Sequence, residues 1–223
     1  MGVFVSQFFC IILLTTFSCV NNNLIKSEKL LSPDKSLTLN INLNNGMIFY
    51  SLLKNNKLII QNSQLGIIAD KFDLSGNFSI ARVKRNNRKN SWTQVWGEQK
   101  RILDEHNELT VTVLSKTNNL EMTIHFRLFN DGLGFRYDIP KQKSIDNFNI
   151  LDELTEFNFS EDSQSWWIPA YAYRRFEFLY ANTHISDISR DTYSKLVENL
   201  TGPRLGPDAV HTPFTVQRDD GIC

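Results

Sequence analysis

Acidic side chains crowd one stretch of this chain: Asp152, Glu153, Glu156, Glu161 and Asp162 fall just before Trp166-Trp167-Ile168-Pro169. Two carboxyl groups held at a suitable separation can cleave a glycosidic bond, one as general acid and the other as base or nucleophile. Closeness in sequence does not set that separation, and acidic loops are common, so a solvated surface is the competing reading. The segment WWIPAYAYRRFEFLY, residues 166–180, then places two Trp, three Tyr, two Phe and two Arg together. Aromatic rings stack on the apolar faces of sugars, while Arg and Glu bond their hydroxyls. Trp166, Trp167, Tyr171 and Arg174 are therefore the candidate substrate-binding residues. Trp166 or Trp167 can instead fill a core with the tyrosines at its rim, and the two readings are compatible.

Other chemistries find less support. His106, His125, His184 and His211 have no local Ser or Cys partner, and no Gly-x-Ser-x-Gly elbow is present. No Gly-rich phosphate loop of either standard form occurs, which argues against a nucleotide enzyme. The 24 basic and 24 acidic residues cancel, so charge gives no reason to expect nucleic acid as the main partner. The basic run Lys84, Arg85, Arg88 and Lys89 lies among Asn86, Asn87 and Asn90 without aromatics, and is expected to be a solvated loop.

The N-terminus is apolar from Val3 to Phe17 and then turns polar. The run is too short to span a bilayer comfortably, and Ser18-Cys19 supplies small residues where cleavage would fall. Residues 1–19 are expected to be an export signal, with Thr16-Phe17-Ser18-Cys19 as a loose lipobox and Cys19 the only route to a membrane. Export makes the chain periplasmic, or an outer-membrane lipoprotein, if it is bacterial. Met1-Gly2 with Ser6 also fits a myristoylation pattern, but that modification does not require the apolar run. Beyond Cys10 and Cys19 only Cys223 remains, which leaves no internal disulfide and no cysteine metal site.

The elements that must position these residues are strands. After a linker expected over 20–31, Leu37, Leu39, Ile41 and Leu43 alternate with polar residues, and Asn45-Gly46 supplies a hairpin turn before Met47 to Leu53. Lys54-Asn55-Asn56-Lys57 leads similarly into Leu58-Ile59-Ile60. Leu109 to Val113 is expected to pair across Asn118-Asn119 with Met122, Ile124, Phe126 and Leu128, and Asp131-Gly132 then feeds Phe135, Tyr137 and Ile139. Gly134 is expected to let that last strand start close to its neighbour. One helix interrupts the pattern, capped by Asp187, striped by Ile188, Leu196, Val197 and Leu200, and stopped at Thr201-Gly202-Pro203. His211 to Val216 returns to strand. Asp219-Asp220-Gly221 signals a hairpin with two residues after it, so a domain over 32–223 is expected to be incomplete at its C-terminus. The fold class is all-β, a large antiparallel sandwich with one short helix.

Several motifs carry a resemblance: VWGE (95–98), HNELTVT (106–112), FRLFNDGLGFRYDIP (126–140), LTEFNF (154–159), WWIPAY (166–171) and EFLY (177–180). SPDKSLTLNI (32–41) and HTPFTVQRDDG (211–221) flank them. In this order they resemble the N-terminal domain of glycoside hydrolase family 97. The resemblance implies a mutarotase-like super-sandwich standing before a catalytic (β/α)₈ barrel, in a calcium-dependent, exo-acting enzyme that cleaves α-glucosidic or α-galactosidic bonds. The catalytic residues and most contacts to an oligosaccharide or α-glycoside substrate would lie on the barrel. No catalytic residue is then expected here, since a barrel needs about 250 residues of alternating strand and helix. Glu177 matches the position from which the sandwich offers a carboxylate to Ca2+, the one metal ligand implied for this chain. A free-standing carbohydrate-binding sandwich without catalysis is the alternative, and a decayed gene product without function of its own is a third reading.

Overall fold

The computed structural model describes residues 26–143, 145, 147–170, 178–196 and 208–221. Alternating sequence becomes antiparallel sheet throughout. Strands β1 (Ser27–Leu31), β2 (Leu37–Asn44), β3 (Met47–Lys54) and β4 (Lys57–Leu65) form one four-stranded sheet in that order. The part of the expected linker from 27 onward is thus β1, whose Leu30 lies opposite Leu39 and is buried. The two-residue turns do what their side chains allow. Asn45 and Gly46 have φ of 50° and 79°, and Asn55 and Asn56 have 50° and 65°, the left-handed pairs that match the twist of a tight hairpin. At Gly46 a Cβ would also lie 3.1 Å from the Asn77 Cα, so both backbone angle and space select glycine.

A second four-stranded sheet has the order β10 (Leu133–Asp138), β9 (Leu120–Leu128), β8 (Arg101–Ser115), β7 (Phe78–Thr93). The expected register holds, with Leu109, Val111 and Val113 opposite Phe126, Ile124 and Met122. The two sheets share one core, in which Leu39, Ile41, Ile48 and Tyr50 of the first meet Leu109, Val111, Ile124 and Phe126 of the second. This all-β sandwich is the expected fold class. The loop before β10 differs in detail. Phe129 N donates to Gly132 O at 2.8 Å, neither Gly132 nor Gly134 has a positive φ, and a Cβ at either would meet open space. Gly134 is therefore not needed for close strand approach.

The basic run expected as a loop lies inside β7. Its Arg88 pairs with Asp104 at 3.4 Å and its Lys89 with Glu105 at 2.8 Å across the ladder, while Arg85 pairs with Glu28 of β1. Acidic partners on β8 and β1 pair Arg85, Arg88 and Lys89, and the run is solvent-exposed as expected but is a strand rather than a loop. Because β9 accompanies β8 only as far as Asn107 opposite Leu128, residues 88–106 continue as a two-stranded arm. Its end exposes Trp92, Val95, Trp96 and Leu103.

Among the described residues there are two further, small sheets: β11 (Ile150–Glu153), β5 (Ile67–Ala69) and β6 (Asp73–Leu74), and separately β13 (Ala181–His184), β12 (Gln164–Trp167) and β14 (Thr215–Gln217). Asp187 closes a 3₁₀ turn over Ile185–Asp187 rather than capping the helix. Helix α1 spans Arg190–Leu196 and is capped by Ser189, whose Oγ accepts from Thr192 N at 3.0 Å. Val197, Leu200 and Thr201-Gly202-Pro203 lie outside the described residues. Asp219 to Gly221 forms a turn in which Gly221 N donates to Arg218 O at 2.9 Å.

The two faces of β9 give a direct check. Ile124→Ala removes a fully buried side chain from the shared core and is expected to cost about 2–5 kcal/mol. His125→Ala, on the solvent face one residue along, is expected to stay within about 0.5 kcal/mol. Urea midpoints of the two variants measure the difference, and equal losses would contradict the assigned register.

Candidate functional site

The chain reaches the aromatic segment by a constrained path. Residues 154–160 run along the outer edge of β4: Leu154 N donates to Gly66 O, Glu156 N to Gln64 O and Ser160 N to Ile59 O, while Gln61 N donates to Asn158 O, all at 2.9–3.1 Å. Arg218 fastens the far end. Its side chain, 12% exposed, reaches Leu58 O at 2.6 Å, Ser160 Oγ at 2.7 Å and Glu161 at 3.0 Å.

The acidic run is largely consumed in this path. Glu153 accepts from the Thr155 hydroxyl, Glu156 from Gln64 N and Asn158 Nδ2, Glu161 pairs with Arg218, and Asp162 accepts from both N and Oγ of Ser186. Those bonds hold the Asp162 carboxyl below the usual carboxylate range, the Ser186 backbone N–H first. A general acid in glycoside cleavage needs the opposite shift. Asp152 is exposed.

From this path β12 emerges as the central strand of its sheet, and strand alternation separates the two tryptophans. Trp167 points inward and is 1% exposed. Its ring lies 5.6 Å from that of Tyr193, and its Nε1 donates to Thr183 Oγ1 at 3.0 Å. Ala181, Phe178, Ile188, Val210 and Phe214 complete this second cluster. Sealed in this way, Trp167 has no free ring face to offer a sugar, so the core role applies to it. Trp166 points the other way and is partly exposed. Across the sheet it faces Asn182 on one side and Thr215 on the other, while Gln164 faces His184 and Gln217. Gln164 Nε2 donates to Asn182 Oδ1 at 2.5 Å, and Asn182 Nδ2 to Ser165 O at 3.3 Å. Residues 168–170 continue beside 209–211, with Ala170 N bonded to Ala209 O and His211 N to Ile168 O. Tyr171, Arg174 and Glu177 follow in sequence but lie outside the described residues, as do the leader 1–19, residues 20–25 and Cys223.

Among the described residues no group of three or more His, Cys, Asp or Glu side chains is arranged to hold a metal ion. Calcium takes about six to eight oxygen ligands. The described residues therefore do not fit a calcium cage of their own, and Glu177 could supply only a small share of one.

One buried polar group was not legible in sequence. His106 is fully buried at the base of the arm, its Nδ1 2.6 Å from Asp104 and its Nε2 3.0 Å from Glu108, with its ring 4.8 Å from that of Phe129. Glu108 also pairs with Arg127 of β9 at 3.0 Å and accepts from Asn86 of β7 at 3.2 Å. The His106 bond first, then Asn86 and Arg127, hold the Glu108 carboxyl below its ordinary range against the opposing effect of burial. The signal in sequence was the alternation Asp104-x-His106-x-Glu108, which puts all three on one face of a strand.

Residues 30–223 match the family described as Glycosyl-hydrolase 97 N-terminal. The chain belongs to glycoside hydrolase family 97, as its N-terminal domain. Solved relatives agree. A family 97 enzyme from Pseudoalteromonas sp. strain K8, in complex with panose, is 32% identical with a TM-score of 0.73, covering 86% of this chain and 27% of that one. The same organism's family 97 enzyme in complex with acarbose matches at 32% identity and a TM-score of 0.74 with the same coverage. A β-arabinopyranosidase at 22% identity and a TM-score of 0.62, over 67% of this chain and 24% of that one, shares the fold. The chain thus spans about a quarter of the length of these enzymes.

The His106 network generates its own test. Since the Glu108 carboxyl titrates lower folded than unfolded, its contribution to stability is present above the unfolded carboxylate range and lost as pH falls through the lower folded value. Glu108→Gln should therefore show a shallower loss of stability on acidification than the parent chain. His106→Ala, which leaves Asp104 and Glu108 without the ring between them, should cost about 1–3 kcal/mol at neutral pH. Urea unfolding at several pH values reads both, and unchanged slope and midpoint would contradict the network.

Proposed function

We propose that this chain is the non-catalytic N-terminal sandwich of a calcium-dependent, exo-acting α-glucosidase or α-galactosidase. The observation that carries the reading is the family match over 30–223, joined to relatives about four times as long. In this role the sandwich buttresses a catalytic barrel. Glu177 lends one carboxylate to a calcium ion whose other oxygens come from the barrel. Bound there, calcium would polarise the glycosidic oxygen or orient the catalytic acid. Trp166, Tyr171 and Arg174 border the sugar cleft, and Trp167 holds β12 from behind. The leader 1–19 exports the protein, with Cys19 as the point of any lipid anchor. The panose and acarbose complexes of the Pseudoalteromonas enzyme support an α-linked oligosaccharide as the substrate class.

On this account the isolated 223-residue chain hydrolyses neither an α-glucoside nor an α-galactoside with a chromogenic leaving group. Isothermal titration should give it no tight calcium site, because one carboxylate supplies too few oxygens. Turnover of either substrate, or submicromolar calcium affinity, would overturn the proposal.

A further inference from the structure

The outer face of the second sheet holds a cavity of about 220 Å³ where β10 begins. Strand alternation builds its walls in two rows. Glu108 of β8, Arg127 of β9 and Gly134 of β10 stand side by side in the first, and Thr110, His125 and Arg136 in the second. The residues between them, Leu109, Phe126 and Phe135, pack into the core, so both rows face solvent. Gly134 is what opens the space. Its φ lies outside the left-handed region and a Cβ there would meet nothing within 4 Å, so neither strain nor crowding calls for glycine. A side chain at 134 would instead fill the gap between Arg127, directly across the ladder, and Arg136, two residues along on the same face.

We propose that this cavity binds a small oxyanion, a phosphate or carboxylate group, between Arg127 and Arg136. The charges are arranged for it. Glu108 is the one acidic side chain on the wall, and it is taken up by His106, Asn86 and Arg127. Arg127 meets Glu108 through its Nε at 3.0 Å, which leaves its terminal nitrogens to donate elsewhere. Arg136 has no hydrogen bond or ion pair among the described residues. With Glu108 offset by Arg127, the cavity keeps the positive charge of Arg136. Guanidinium groups present N–H donors in a fixed fork that matches the oxygens of a phosphate or carboxylate. Thr110 adds a hydroxyl able to donate to a third oxygen. The next carboxylate on this face, Asp138, is one pleat further along β10 and faces His125 at 3.4 Å, outside the cavity wall. None of this depends on the glycosidase reading.

A site open to water with two guanidinium groups should hold such an ion with a Kd on the order of 1 mM. The test titrates the full 223-residue chain with inorganic phosphate and, separately, with glucuronate, following backbone amide signals by NMR. Chloride holds the ionic strength constant, so that general screening does not move the signals. The expected result is a saturable shift of the Gly134 and Arg136 amides with at least one of the two anions. Phosphate alone producing it identifies a phosphoryl ligand, glucuronate alone a sugar acid, and both a site for either group. Gly134→Leu, which fills the gap without changing charge, and Arg136→Gln should each weaken binding at least about tenfold while the urea midpoint stays in place. Lys116→Gln, the same loss of charge beyond the far end of β8, should leave binding unchanged. The proposal is overturned by the absence of a saturable shift with either anion far above millimolar, by binding that survives Gly134→Leu, or by an equal loss in Lys116→Gln and Arg136→Gln.

Discussion

The outer edge of β4 is the constraint on which the rest of this structure depends. An open strand edge presents a row of N–H and C=O groups that must find partners or invite another chain. Here residues 154–160 take that edge, bonding to Ile59, Gln61, Gln64 and Gly66. The same pairing commits most of the acidic run, fixes where β12 begins and lays Phe159 against Phe214, so that the large core and the small cluster around Trp167 become continuous. Arg218 locks the junction from the far side.

Polar atoms inside this arrangement are spoken for. Tyr50 OH donates to Glu156 O at 2.8 Å, and Tyr137 OH meets Thr155 Oγ1 at 2.7 Å while accepting from Gly66 N. Burial pushes both phenols up from their ordinary range, which keeps them neutral donors along the path that carries the chain to β12. Among the described residues no buried side-chain nitrogen or oxygen lacks a hydrogen-bond partner. The sandwich therefore delivers β12 in a fixed orientation, with Trp166 outward and Trp167 inward.

The hairpins were legible because their cause is local. Asn45-Gly46 and Asn55-Asn56 tolerate left-handed angles, and alternation to either side of them fixes which face is buried. What escaped has its cause at a distance. The charged run Lys84 to Lys89 is a strand because Glu105 to Thr110 of β8 stand opposite it, and residues 27–31 are a strand because β2 accepts them. Ser189 rather than Asp187 caps α1 because a short 3₁₀ turn intervenes. Trp166 and Trp167 could be assigned to surface and core only once Tyr193 and Thr183 were seen behind one of them. His106 carried no sign of burial in sequence because its two carboxylate partners look like ordinary strand charges.

The functional account follows from position. The large sandwich contributes rigidity, the small sheet presents Trp166 and its amides, and the residues leading out of β12 carry the single carboxylate proposed for calcium. Its central claim, that this domain completes a metal site it cannot form by itself, is tested most directly by Glu177→Gln in a protein that joins this chain to the catalytic region found in longer family members. The account predicts that the calcium concentration needed for half-maximal α-glycosidase activity rises severalfold while thermal unfolding of the sandwich is unchanged. Undiminished activity at limiting calcium would contradict it.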